Sequence, residues 1–94
     1  MSSSKNIIAI PSVVYRPKDG PCSVFVPDLN ITIHGVTFVD TLAETLMNVA
    51  AIITYRRDRN VPFNVEHTYD DLVEKYSKAK DARFIYMLTV DSEG

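Results

Sequence analysis

The hydrophobic period of this chain changes once, near Gly35, and that switch limits the available folds more than any other feature. Before it, apolar residues come in short β-branched and aromatic runs separated by turn formers, the pattern of strands joined by tight connections. Ile7 to Tyr15 reads as a first strand, with Pro11 restricting where pairing begins. Arg16-Pro17-Lys18-Asp19-Gly20-Pro21 reads as a turn, and Ser23 to Val26 as the second arm of a hairpin. After the turn-like Pro27-Asp28-Leu29-Asn30, Ile31 to His34 alternates apolar and polar residues and stops at Gly35, which predicts a third strand and an antiparallel meander.

Beyond the switch, Phe38, Leu42, Leu46, Val49 and Ile53 recur at helical spacing, with Thr45 and Ile52 beside them. Thr37 with Asp40 marks the start as a variant capping box, and Val61-Pro62 places the end near Asn60. A second pair, Thr68 with Asp71, opens a shorter helix in which Leu72, Val73 and Tyr76 face inward, with an end expected near Asp81. Phe84 to Val90 is apolar on both faces, which suits a strand inside a sheet covered on each side. The order is β-β-β-α-α-β, an α+β fold in a single domain spanning residues 1–94, with residues 1–5 expected to be disordered.

Composition narrows the function classes. At 46% hydrophobic and 23% charged, with three glycines and five prolines, the 94 residues suit one globular core rather than a disordered tail. A net charge of −2 argues against binding nucleic acid mainly by neutralising phosphates. No apolar run approaches the roughly 20 residues needed to cross a bilayer, the N-terminus lacks a secretory pattern, and Cys22 has no partner cysteine. The expected location is a reducing cytoplasm, with no membrane contact.

Tyr15, the Gly20 turn and Ser23-Val24-Phe25-Val26-Pro27-Asp28-Leu29 resemble the Gly-Tyr-Ser-Val-x-x-Pro-Asp-Leu signature of HicB-like antitoxins. His34-Gly35-Val36-Thr37, the helix bearing Glu44 and Asn48, and Asn60-Val61-Pro62 follow at the family's spacing. The similarity runs from Val13 to Val90, and it departs at Asn30-Ile31-Thr32, where family members usually continue Pro-Gly-Cys. The resemblance implies a partial ribonuclease-H-like fold that binds and blocks a small HicA-type toxin, an RNA-cleaving protein with a double-stranded-RNA-binding-like fold and a catalytic histidine. Many members carry a DNA-binding domain after this core; only Asp91-Ser92-Glu93-Gly94 stands there in this sequence, so direct operator binding is not expected.

No set of residues reads as a catalytic centre. A ribonuclease-H-like metal site needs clustered carboxylates, one of them on the first strand, yet Ile7 to Tyr15 contains no acid, and Asp28, Asp40 and Glu44 fall at a turn and a helix start. Cys22 lacks an activating neighbour and reads as a small buried residue; His34 and His67 show no zinc spacing and suit a toxin-facing or solvent position. Three glycines form no phosphate loop, and Arg56-Arg57-Asp58-Arg59 sits where positive charge offsets the negative end of the helix dipole.

The expectation is therefore a non-catalytic antitoxin-like binder, without cofactor or metal, that occludes a HicA-type toxin. Expected contact residues are Asp28, Leu29 and His34 near the turns, with Asp70, Asp71 and Glu74 as acidic partners for a basic toxin. The alternative is a stand-alone regulator or adaptor of the same fold that binds another protein, and a metal-dependent nuclease is the remotest reading. A homodimer is expected as well, because a short meander leaves an edge strand open to a second copy.

Overall fold

The computed structural model describes residues 5–92, with side chains described from residue 7 to residue 90. The elements are β1 (Lys5–Tyr15), β2 (Cys22–Val26), β3 (Ile31–Gly35), α1 (Phe38–Asp58), α2 (Tyr69–Tyr76) and β4 (Ala82–Ser92). This is the α+β order read from the sequence. Residues 1–4 of the stretch expected to be disordered lie outside the described residues, while Lys5 already belongs to β1.

The four strands form one antiparallel sheet in the order β3-β2-β1-β4. The first three make the expected meander, and the last returns beside β1, which is thereby central. β1 and β4 pair through eleven positions from Lys5↔Ser92 to Tyr15↔Ala82, whereas β1 and β2 pair only at Val13, Val14 and Tyr15. Pro11 contributes no amide to a ladder, and β2 ends at Val26, just before Pro27. From Lys5 to Ser12, β1 therefore has β4 as its strand neighbour, and this part of the pair forms a two-stranded arm.

β4 departs from expectation: it is an edge strand, not an interior one. Its inward residues Met87 and Thr89 are buried, but Tyr86, Leu88 and Val90 on the opposite face are each at least half exposed. Apolarity on both faces measures what could cover a strand above and below; it carries no information about lateral neighbours, and here a helix covers only one face along the arm.

α1 covers the inner face. Val49 and Ile53 join Ile10, Val14, Val24, Val26, Leu29 and Met87 in the core, with Phe38, Leu42 and Ile52 packed around them. Each such aliphatic side chain contributes about 1.5–3 kcal/mol on burial. The buried stripe is Thr41, Thr45, Val49 and Ile53, and Leu46, expected within it, is 41% exposed. The reason is close approach. A Cβ at Gly35 would run into the Oγ1 of Thr41, so the first turns of α1 lie against β3 where bulky side chains do not fit. The two threonines can be buried because each hydroxyl donates to the carbonyl one turn earlier, Thr41 to Thr37 and Thr45 to Thr41, both at 2.6 Å.

The helix ends are local chemistry. Thr37 accepts the amide of Asp40, which caps α1. At the other end Asn60 takes a left-handed φ of 57°, while the amides of Asn60 and Val61 donate to the carbonyls of Arg57 and Arg56. This is a Schellman closure with asparagine in place of glycine. α2 carries a reciprocal capping box: Asp71 donates its amide to the Thr68 hydroxyl, and Thr68 donates its amide to the Asp71 carboxylate. The helix stops at Tyr76, five residues before the expected end. Ser77-Lys78-Ala79-Lys80 supplies no large apolar side chain to hold another turn against the sheet, and Asp81 turns the chain into β4 with a φ of 66°.

α2 lies on the outer face. Tyr76 meets Phe25 edge-on at 6.0 Å, while Tyr69 meets Phe84 edge-on and stacks on Tyr86 at 5.4 Å. Phe25, Phe84 and Tyr86 alternate with the inward Val24, Val26 and Met87, so the two helices cover opposite faces.

Candidate protein-binding face

The segment between the helices passes from one face of the sheet to the other, and Asp28 determines where. Asp28 sits in the β2–β3 turn with its side chain only 1% exposed. Its Oδ1 accepts the amides of Glu66 at 3.1 Å and His67 at 3.2 Å, and lies 2.7 Å from the Nδ1 of His67. The next residue, Thr68, is the cap of α2. Phe63 in the same segment packs on the core and, with Ile8 and Ile53, lines a cavity of about 310 Å³ at the notch left where β2 stops short of the arm.

This geometry redistributes the contact residues expected from sequence. Asp28 and Leu29 are interior: the first holds the crossover segment and the second is buried in the core cluster. Neither presents a side chain to a partner in this structure. The Asp28 carboxylate bonds residues 38 and 39 positions away along the chain. His67, expected at a toxin-facing or solvent position, is a half-buried partner of that carboxylate. His34 is exposed on β3, at the far edge of the sheet from β4.

The three acids of α2 remain together at the surface. Asp70, Asp71 and Glu74 are all exposed, with Asp70 and Glu74 one turn apart. The Thr68 amide, and secondarily its hydroxyl, hold the Asp71 carboxyl below the ordinary aspartate range, so it is charged at neutral pH. Beside the start of α2 runs the outer face of the arm, where β pairing puts Ile7 opposite Val90, Ala9 opposite Leu88 and Pro11 opposite Tyr86. Ile7, Tyr86, Leu88 and Val90 form a bare apolar strip that ends at the Tyr69–Tyr86 stack. A contiguous apolar surface bordered by charge is the usual composition of a protein interface. Sequence reading missed this strip because it placed β4 inside the sheet; the remaining signal was the lack of any charge from Phe84 to Val90.

Other groups are spread apart. Arg59 stacks over Tyr55 at 4.5 Å and Arg56 over Phe63 at 5.5 Å, so these cations at the helix end lie against their own aromatic neighbours. Cys22 is buried, and burial, with Tyr76 adding to it, raises the pKa of Tyr15. Among the described residues no group of three or more His, Cys, Asp or Glu is placed to hold a metal ion, and no helix is long and apolar enough to cross a membrane. No protein-family model, curated protein or solved structure matches the chain.

Proposed function

We propose that this protein is an antitoxin-like inhibitor that works by occlusion, covering the RNA-binding surface of a small basic HicA-type toxin in the cytoplasm and turning over nothing. The observation that carries this reading is one surface on one side of the sheet: an acidic helix bearing Asp70, Asp71 and Glu74, adjoining the bare apolar strip of Ile7, Tyr86, Leu88 and Val90. An RNA-cleaving partner needs a basic face for its substrate, and acids with a complementary field speed encounter and select against acidic partners. The apolar strip supplies what charge alone does not, burial that slows dissociation. The resemblance to HicB-like antitoxins in the turn and cap residues points the same way, although Asp28 and Leu29 of that motif act beneath the surface.

The test is co-expression with the small open reading frame next to this gene. Relief of growth arrest and a co-purifying complex are expected. The double substitution Asp70→Lys with Glu74→Lys should weaken that complex by at least about tenfold, about 1.4 kcal/mol, and steepen the loss at low salt. Absence of both a complex and relief would refute the toxin reading; capture of a different, non-toxic protein on the same face would favour a regulatory adaptor.

A further inference from the structure

We infer that β4 is a self-pairing edge: two copies of this chain join antiparallel through β4, on a two-fold axis at Met87, into one eight-stranded sheet. This goes beyond the toxin reading and does not depend on it.

Two edges bound the sheet, and they are built differently. β3 is five residues long, with polar, exposed Thr32 and His34, and stops at Gly35. β4 is eleven residues long, has no proline or lysine, and is uncharged from Phe84 to Val90. Edge strands that stay unpaired are usually short, charged, bulged or covered. The crossover between the helices, which could have shielded an edge, instead passes at the β2–β3 turn, where Asp28 holds it, so the β4 side is left open.

The order of residues along β4 selects the occupant. In an antiparallel pair related by a two-fold axis, positions equidistant from the axis face each other, so a strand fits itself when its two halves are complementary. About Met87, Tyr86 falls opposite Leu88 and Phe84 opposite Val90 on the outer face, giving aromatic against aliphatic pairs. Ile85 falls opposite Thr89, and the sequence positions of Arg83 and Asp91 coincide, opposite charges at both ends. A shift of the axis to Tyr86 sets Asp91 opposite Asp81, like charges, while a shift to Leu88 exchanges the Arg83–Asp91 match for Arg83 against position 93, a register that Asp91→Arg would leave undisturbed. The same pairing sets the two bare arm strips side by side, flanked by two acidic α2 helices.

Analytical ultracentrifugation of the full chain at about 50 µM should give twice 10.6 kDa, with the dimer dissociating on dilution by mass action. Leu88→Lys sets charge against Tyr86 of the second copy and should raise the dimer dissociation constant at least about tenfold. Because Leu88 is half exposed, its far-UV spectrum should stay that of the parent. The charge exchange fixes the register: Arg83→Asp and Asp91→Arg each weaken the dimer, and the two together restore it. A monomer at that concentration overturns the proposal, as does a dimer indifferent to Leu88→Lys, or one that both single charge changes weaken but the double change fails to rescue.

Discussion

Replacing Asp28 by alanine tests whether this residue acts on structure or on partners. The carboxylate is 1% exposed and accepts two backbone amides, from Glu66 and His67, besides facing the His67 ring nitrogen at 2.7 Å. A hydrogen bond to a charged group contributes about 1.5–3 kcal/mol when removed singly, so three summed without correction give about 5–9 kcal/mol. That sum is too large. Glu66 is exposed and His67 only half buried, so their freed donors recover water. The expected loss is about 2–4 kcal/mol, a large share of the roughly 5–14 kcal/mol that holds a domain of this size together. In urea melts followed by far-UV circular dichroism, with a slope of about 1 kcal/mol per molar, the midpoint should fall by about 2–4 M. Asp28→Asn keeps one carbonyl oxygen as acceptor and should lose about half as much. A loss below about 0.5 kcal/mol for the alanine variant would show that the crossover segment is held by something else.

Three further outcomes follow from packing and capping. Gly35→Ala pushes a methyl group into the Thr41 hydroxyl and should cost about 1–3 kcal/mol in the same melts, with Thr41→Ala, which removes that hydroxyl, recovering part of it. Ile53→Ala should cost about 2–4 kcal/mol and Leu46→Ala less than about 1, a contrast that a helix packed on the simple apolar stripe would abolish. The folded-state pKa of Asp71 is depressed, so its contribution is present above the ordinary value of 3.8 and is lost as pH falls through the folded pKa. Amide exchange at α2 should therefore quicken selectively below about pH 4, and Asp71→Asn should remove that acid dependence.

The legible parts of this fold are those with local causes. Turn formers at Arg16 to Pro21 and Pro27 to Asn30, caps at Thr37 and Thr68, and the stop before Pro62 place five of the six elements within a few residues. What sequence concealed is non-local. A helical stripe counts Leu46 because it is apolar and passes over Thr41 because it carries a hydroxyl, yet the deciding contact is Gly35, which no periodicity inspects. β4 looked interior because its composition suits cover on two faces, while its lateral position depends on β1 leaving one side free. The end of α2 was misplaced because charged and small residues after Tyr76 are compatible with a helix and decide nothing without a surface to pack on.

The link between Asp28 and the candidate interface runs through chain direction. Once the amides of Glu66 and His67 are held at the β2–β3 turn, Thr68 must cap α2 there, and the helix starts with Tyr69 against Phe84 and Tyr86. It then runs toward Tyr76 and its contact with Phe25 on β2, away from the arm. A helix of eight residues is about 12 Å long, so it covers the middle of the outer face and leaves Ile7, Leu88 and Val90 bare whatever its exact end. Its acidic first turn is held beside that strip for the same reason. Asp28 is thus a positioning residue for the binding face rather than part of it: a substitution there should weaken a partner only as far as it loosens α2, whereas changes at Asp70 or Glu74 should weaken the partner and leave the fold as it is.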